Sequence, residues 1–278
     1  MIEIAADVEL EIGEGLVWDA GRGWLWFVDI LQCRLYALDH ASRELRRFTM
    51  PASIGSVGVC RDGRLIVSLR NGVHLYDPDS GALTFLVHPE PERTCNRLND
   101  GKVGPDGAFW MGSMSEAEPF EPTGAFYRIT PDGGCRTLLT DLYVSNGLGW
   151  SPDGRTMYHA DSVPGLVNCF PFDTATGEIG EPECFAALTD LGHPDGAAVD
   201  SEGRYWSAGV TSGKLNCLAT DGSLVRSIDL PCPAPTMACF AGPDLADLYV
   251  TSLARDGQPG RLYRLDGEGR GLPSYLFG

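Results

Sequence analysis

Polar residues recur at one position of a repeated pattern, directly before a mostly apolar stretch. The residues at this position are Glu14, Ser56, Asn99, Asn146, Asp195 and Thr236. Two of them are carboxylates and two are amides, and such oxygen donors suit Ca²⁺, Mg²⁺ or Mn²⁺. Two carboxylates held together without a cation would repel each other and raise one pKa. If the fold gathers these positions, they predict a site for a divalent cation.

Each of these residues also has a simpler interpretation. Asn and Asp often bond to their own backbone in turns, so each could cap a turn and bind nothing. The position that they share is what favours a common site over six separate caps.

The elements that would position them come from an internal repeat. Each copy is a small apolar strand, a turn rich in Pro, Asp and Gly, and an aromatic-rich strand. The copies span residues 15–29, 57–68, 103–113, 148–161, 197–209 and 238–252. Six units in 278 residues give about 46 residues each, near the period of a four-stranded propeller blade. A different number of blades or an array of β-sandwiches is the alternative.

Turn chemistry agrees with this interpretation. Asp62-Gly63, Asp106-Gly107, Asp153-Gly154 and Glu202-Gly203 are acid–Gly pairs that suit tight hairpins, because Gly accepts positive φ. We predict an all-β fold: a six-bladed β-propeller with four-stranded antiparallel blades and a central metal site. It would form one domain over residues 1–278, with a strand in residues 2–9 that pairs with the last blade and closes the ring.

Composition excludes several function classes. The net charge is −17, which disfavours binding to nucleic acid. No apolar run approaches the ~20 residues that span a bilayer, and the N-terminus lacks the features of a signal peptide. The nine cysteines show no C-x-x-C spacing, so reduced thiols are expected. We expect a cytoplasmic protein, with no membrane or nucleic-acid partner, that is a monomer or a small homo-oligomer.

Five segments resemble the gluconolactonase and regucalcin (senescence marker protein) family of sugar lactonases, to which luciferin-regenerating enzymes are similar. They are IGEGLVW at 12–18, WFVDI at 26–30, NRLNDGKVGPDGAFWMGSM at 96–114, SNGLGWSPDG at 145–154 and HPDGAAVDSEG at 193–203. They occur in the family's order along nearly the whole chain. The resemblance implies a six-bladed propeller that holds one divalent metal ion, Ca²⁺ foremost, with Zn²⁺, Mn²⁺, Mg²⁺ or Fe²⁺ as alternatives.

The resemblance also implies roles for individual residues. The metal ligands would be Glu14, Asn146 and Asp195, and the substrate-binding pair of the R-x-N motif would be Arg97 and Asn99. Family members place an acidic side chain over the substrate, after the hairpin of the third blade. Here SEAEPFEPTG offers Glu116, Glu118 and Glu121; Glu118 and Glu121 are the candidates, and which one faces the substrate is open. Apart from the resemblance, Asp100 has two interpretations from its place in an Asp-Gly pair: it supports this loop from behind the site, or it is an exposed turn residue.

These expectations combine into one reaction, the hydrolysis of a sugar lactone to an aldonic acid. A divalent metal polarises a carbonyl and activates water, and Asp195 is the candidate general base. No G-x-S-x-G or H-E-x-x-H motif occurs, so no rival nucleophile set is visible. The alternatives are a phosphotriesterase or arylesterase on the same scaffold, and a non-catalytic calcium-binding propeller.

Overall fold

The computed structural model describes all residues from 1 to 278 and is built almost entirely of short strands. One 3₁₀ turn covers Thr189–Leu191. The strands are β1 Ile2–Ile4, β2 Gly13–Asp19, β3 Trp24–Asp29, β4 Arg34–Asp39, β5 Leu45–Thr49, β6 Ile54–Val59, β7 Leu65–Leu69, β8 Gly72–Tyr76, β9 Leu83–Val87, β10 Asn96–Val103, β11 Phe109–Ser115, β12 Gly124–Ile129, β13 Cys135–Leu142, β14 Ser145–Trp150, β15 Thr156–Asp161, β16 Leu166–Asp173, β17 Glu178–Ile179, β18 Glu183–Ala187, β19 Pro194–Val199, β20 Tyr205–Gly209, β21 Lys214–Leu218, β22 Leu224–Asp229, β23 Pro235–Ala241, β24 Asp247–Ser252 and β25 Leu262–Asp266.

These strands form six antiparallel sheets. Five follow chain order: β2 to β5, β6 to β9, β10 to β13, β14 to β18 and β19 to β22. The fourth blade carries β17 as a short extra ribbon on β16. In the sixth, β1 pairs with β25 beside β24 and β23, so the N-terminal strand completes the last blade as predicted. The six-bladed propeller of four-stranded antiparallel blades is confirmed.

The hydrophobic core is divided among the interfaces between neighbouring blades. Six clusters of buried side chains lie between successive pairs of blades around the ring. The cluster that joins the last blade to the first contains Met237 and Tyr249 with Trp18 and Phe27. Since every blade shares its apolar faces with two neighbours, we expect residues 1–278 to unfold as one unit.

A buried Asp–Trp–Arg network fixes the hairpin turn of alternate blades. In the fifth blade the Asp200 carboxylate accepts hydrogen bonds from Trp206 Nε1 at 2.8 Å and from Arg204 Nε at 2.7 Å. It also accepts the backbone amide of Glu202. The same arrangement occurs at Asp19, Trp26 and Arg22, and at Asp106, Trp110 and Arg128. The recurrence of Trp in the repeat therefore reflects blade packing.

Asp200→Ala should lower the free energy of unfolding by about 3 kcal/mol, because it leaves a buried indole N–H, a guanidinium and backbone amides without their acceptor. Asp200→Asn, which keeps an acceptor oxygen, should lose less. Urea unfolding would measure both. The matched control is Asp221→Ala, in an exposed turn of the same blade, and an equal loss there would contradict the role given to the network.

No disulfide bond joins any of the nine cysteines in the structure. No helix of the structure has the length and apolar character required to cross a bilayer. The C-terminal tail lies at one end of the channel, where Tyr275 lines a cavity with the innermost strands and Phe277 pairs with the second blade through Val59 and Cys60. The opposite end of the channel is the one at which the polar positions of the repeat gather.

Candidate functional site

β-Bulges in the innermost strand pairs place the polar residues of the repeat. All six pairs have a register shift at or beside the polar position. A bulge bends a strand and redirects its side chains. In the first blade the shift follows Glu14, and the next residue, Gly15, has φ of 61°. The polar residues thus lie within their strands, whereas the sequence pattern placed them just before the strands.

Four of the six positions line one cavity of about 420 Å³ at the end of the channel. They are Glu14, Asn99, Asn146 and Asp195. Ser56 and Thr236 take no part, because their neighbours use their hydroxyls: Ser56 bonds Ser68, and Thr236 donates to the backbone carbonyl of Gly13. Ser56 and Thr236 therefore join neighbouring strands, while the other four positions share a site.

Glu14 and Asp195 are buried carboxyl groups in contact with each other. They are 5% and 9% exposed, and their side chains lie within hydrogen-bonding reach. Burial, followed by the charges of Asp195 and Asp100, raises the pKa of Glu14 well above its usual range. Burial and the charge of Asp100 raise the pKa of Asp195 to about 7. Without a cation, the two carboxyl groups therefore disfavour each other's ionisation.

Hydrogen bonds between side-chain amides connect the two sides of the cavity. Asn99 Nδ2 donates to Asn146 Oδ1 at 3.0 Å and to the backbone carbonyl of Ser145 at 2.9 Å. Asn146 Nδ2 in turn donates to Ser162 Oγ at 2.8 Å. These bonds fix the amide of Asn146 with its oxygen on the Asn99 side. Asn99 thus orients Asn146 as well as lining the cavity.

Arg97 brings a positive charge to the same group. Its Nη1 donates to Asn99 Oδ1 at 2.5 Å. Burial lowers the pKa of Arg97, while the charges of Glu116, Glu14 and Asp195 oppose that shift. Arg97 therefore offsets part of the negative charge of the two carboxylates.

Asp100, the candidate supporting residue, is buried and does not itself line the cavity. Its Oδ2 accepts the backbone amide of Leu148 at 3.2 Å, which ties the bulge of the third blade to the fourth. Its Oδ1 is buried without a hydrogen-bond partner. Burial raises the pKa of Asp100, although the nearby charge of Lys102 opposes that shift.

The donor set fits a hard divalent cation. No cluster of three or more His, Cys, Asp or Glu side chains has the arrangement of a metal site, so such an ion would have to use amide oxygen as well. Glu14, Asn146 and Asp195 supply oxygens to one cavity, and oxygen donors suit Ca²⁺ and Mg²⁺. The raised pKa values of both carboxyl groups and the unpartnered oxygen of Asp100 indicate negative charge that nearby cationic side chains do not fully balance.

Comparison with known proteins identifies the family to which the chain belongs. The family model described as SMP-30/Gluconolactonase/LRE-like region matches residues 12–254. The chain belongs to this family. A 6-deoxy-6-sulfogluconolactonase from Pseudomonas putida is 35% identical, covering 87% of this chain and 83% of that protein. Regucalcin from Xenopus laevis is 30% identical, covering 99% and 98%. The structure of a calcium-binding regucalcin from Agrobacterium tumefaciens has a TM-score of 0.92 at 28% identity, covering 99% of this chain and 97% of that one.

Membership of the SMP-30/gluconolactonase family confirms the resemblance seen in the sequence. The structure does not bring all the candidate residues together, however. Glu118 and Glu121 are exposed, and neither lines the cavity; Glu121 lies on a separate surface pocket. Phe120 is the residue of this segment that lines the cavity. The predicted substrate contact of the two carboxylates has no support in this conformation.

Other cavity residues were not predicted from the sequence. Ser162, His193 and Arg255 all line the cavity. His193 could have been found from its place in HPDGA, two residues before Asp195, yet an isolated His is usually structural. His159 does behave that way, because burial lowers its pKa to about 3 and its Nε2 bonds Ser145 Oγ. Arg255 follows β24 in a loop that matches no repeated motif.

Proposed function

We propose that this protein hydrolyses the ring ester of a sugar lactone, an aldono-1,4- or 1,5-lactone, to the aldonic acid. The observation that carries the proposal is the pair of buried carboxyl groups, Glu14 and Asp195, which line a cavity large enough for a monosaccharide. Burial of two neighbouring carboxyl groups costs free energy of folding. Such pairs are therefore typical of catalytic or cation-binding sites.

Glu14, Asn146 and Asp195 are the residues that would hold a divalent cation, Ca²⁺ foremost. When bound, the ion would act as a Lewis acid toward the lactone carbonyl. The side-chain amide of Asn146 is already oriented by Asn99 and Ser162. Little reorganisation of that ligand is therefore needed.

The side chains of the cavity supply the rest of the chemistry. A carboxylate oxygen of Asp195 would accept the proton of the attacking water, as a general base held close to the reacting carbonyl. Arg97 would donate to the ring oxygen and hydroxyls of the sugar, and Asn99 would hold Arg97 in place through its Oδ1. The fixed orientation of substrate against base would contribute to the rate.

The related proteins support the same reaction class. The Pseudomonas putida relative is named for a sugar lactone as substrate, and the Agrobacterium tumefaciens relative is described as calcium-binding. The two descriptions together match a lactone hydrolase that uses a divalent cation.

We expect chelator-treated protein to lose hydrolysis of aldonolactones, and one of Ca²⁺, Mg²⁺, Mn²⁺, Zn²⁺ or Fe²⁺ to restore it. The measurement is the release of acid from a panel of 1,4- and 1,5-aldonolactones, corrected for hydrolysis without protein. An aryl ester and a phosphotriester complete the panel.

The outcomes separate three functions. Faster turnover of the aryl ester or the phosphotriester than of every aldonolactone would replace the proposal with an esterase of that class. Absence of all hydrolysis with metal present would favour a calcium-binding propeller without catalysis. Full lactonase activity after complete metal removal would refute the role of the cation.

A further inference from the structure

A second polar group lies on the cavity wall, apart from the carboxylate pair. Arg255, His193 and Thr211 all line the cavity. Hydrogen bonds that involve backbone groups connect them. Arg255 Nη1 donates to the carbonyl of Val210 at 2.5 Å, and the amide of His193 donates to Thr211 Oγ1 at 3.0 Å. The amide of Val210 donates back to the carbonyl of His193. The group is therefore a connected structure contributed by the loops of the fifth and sixth blades.

Arg255 has a charge that no carboxylate balances. Its only hydrogen bond within the protein is the one to Val210, and it takes part in no ion pair, unlike Arg264 nearby in the chain, which bonds Asp247 and Glu3. Arg97 differs as well, since Glu116, Glu14 and Asp195 lie close to it. Arg255 thus has a guanidinium edge free for a planar or tetrahedral oxyanion.

His193 adds a second group of defined orientation. Its Nδ1 bonds the backbone carbonyl of Ser162 at 2.7 Å, so Nδ1 carries the proton. Nε2 has no partner in the protein and, with the proton on Nδ1, offers an acceptor that suits a sugar hydroxyl. Thr211 uses its oxygen as an acceptor for His193, which leaves its hydroxyl hydrogen free to donate.

The charges of the cavity point to the kind of ligand. The charged residues that line it are Glu14, Asp195, Arg97 and Arg255, two of each sign. A divalent cation on the carboxylates would make the cavity positive, in a chain whose net charge is −17. Inside a cleft, screening by salt is weaker than at the surface. The cavity would then favour a substrate that carries a negative charge outside its neutral lactone ring.

We propose that the substrate carries an anionic substituent, such as a sulfonate or carboxylate, on a carbon remote from the lactone carbonyl, and that Arg255, with the hydroxyl of Thr211, binds it. The inference rests on the proposed lactonase function and specifies its substrate class. Arg97 and Asn99 would contact the lactone ring, while Arg255 would bind the substituent on the remote carbon.

The test uses a matched pair of aldonolactones that differ only at the terminal carbon, one with a hydroxyl and one with a sulfonate. We expect wild-type kcat/KM to be at least about tenfold higher for the sulfonate, since a hydrogen bond to a charged group contributes that much or more. Arg255→Gln should reduce this ratio by about tenfold or more. Arg155→Gln removes the same charge from an exposed turn at the other end of the propeller and should leave the ratio unchanged.

Equilibrium binding keeps this inference separate from the reaction. Calorimetry on wild type and Arg255→Gln would compare the two corresponding aldonates, with and without the terminal sulfonate. Tighter binding of the sulfonate that is lost in Arg255→Gln supports the inference even if no lactone is hydrolysed, a result that would overturn only the proposed function. Equal affinity for both aldonates, or an equal loss for both in Arg255→Gln, would overturn the inference while leaving lactonase activity intact.

Discussion

Asp195→Asn and Glu14→Gln should each reduce aldonolactone hydrolysis by about a thousandfold or more, the range expected when a general base and a metal site are lost together. Both substitutions keep the shape of the side chain and remove its charge. Because the two carboxyl groups are buried against each other, either change leaves a single carboxylate for the cation. Metal content, measured by elemental analysis of purified protein, should fall with activity.

Asp195→Asn should also stabilise the metal-free protein. The pKa of Asp195 is raised to about 7 in the fold from an ordinary value of 3.8. A carboxyl with a raised pKa destabilises the folded state, and that cost is absent below the ordinary value, grows between the two values and is complete above about pH 7. With chelator present, Asp195→Asn should therefore have a higher free energy of unfolding than wild type at pH 8, by on the order of a few kcal/mol, and should unfold at a higher temperature. The difference should shrink towards pH 4.

A matched control keeps this prediction specific. Asp153→Asn makes the same chemical change in an exposed turn at the other end of the propeller. It should alter neither metal content nor activity. Wild-type activity or wild-type metal content in Asp195→Asn would remove that residue from the site. A loss of stability in chelator at pH 8 would show that its charge is balanced in the metal-free fold.

The repeat was enough to predict the fold and the part of the site that the repeat itself carries. Glu14 and Asp195 could be found because six blades place equivalent residues at equivalent bulges. The pattern could not separate them from Ser56 and Thr236, which occupy the same position. That distinction depends on whether a neighbouring strand offers a partner, such as Ser68 for Ser56, and only the packed structure supplies that information.

Loops were the part of the site that sequence patterns could not predict. Glu118 and Glu121 were candidates because of their charge and position, but in the structure Phe120 between them lines the cavity. Arg255 was missed because it lies in the connection between β24 and β25, whose sequence matches no repeated motif. Its position depends on the carbonyl of Val210, a contact between residues 45 apart. Such contacts leave no trace in periodicity or motif spacing.

Arg97→Gln should lower kcat/KM for the best aldonolactone by about tenfold to a hundredfold, the loss expected for a hydrogen bond from a charged donor. The variant should retain the cation, because Arg97 contacts Asn99 and none of the three candidate ligands directly. Equilibrium metal binding and steady-state kinetics on the same preparation would measure both effects.

Asn99→Ala should lower kcat/KM by a similar factor and should weaken metal binding as well. Asn99 Nδ2 holds the side-chain oxygen of Asn146 at 3.0 Å, so its removal frees a candidate ligand to rotate. Mutation of a residue that orients a metal ligand commonly lowers metal affinity by about tenfold to a hundredfold. The two variants therefore separate substrate binding from support of the cation: the first should change kinetics alone and the second both. Equal metal affinity in Asn99→Ala and wild type would restrict Asn99 to the substrate, and unchanged kinetics in both variants would exclude the pair from the site.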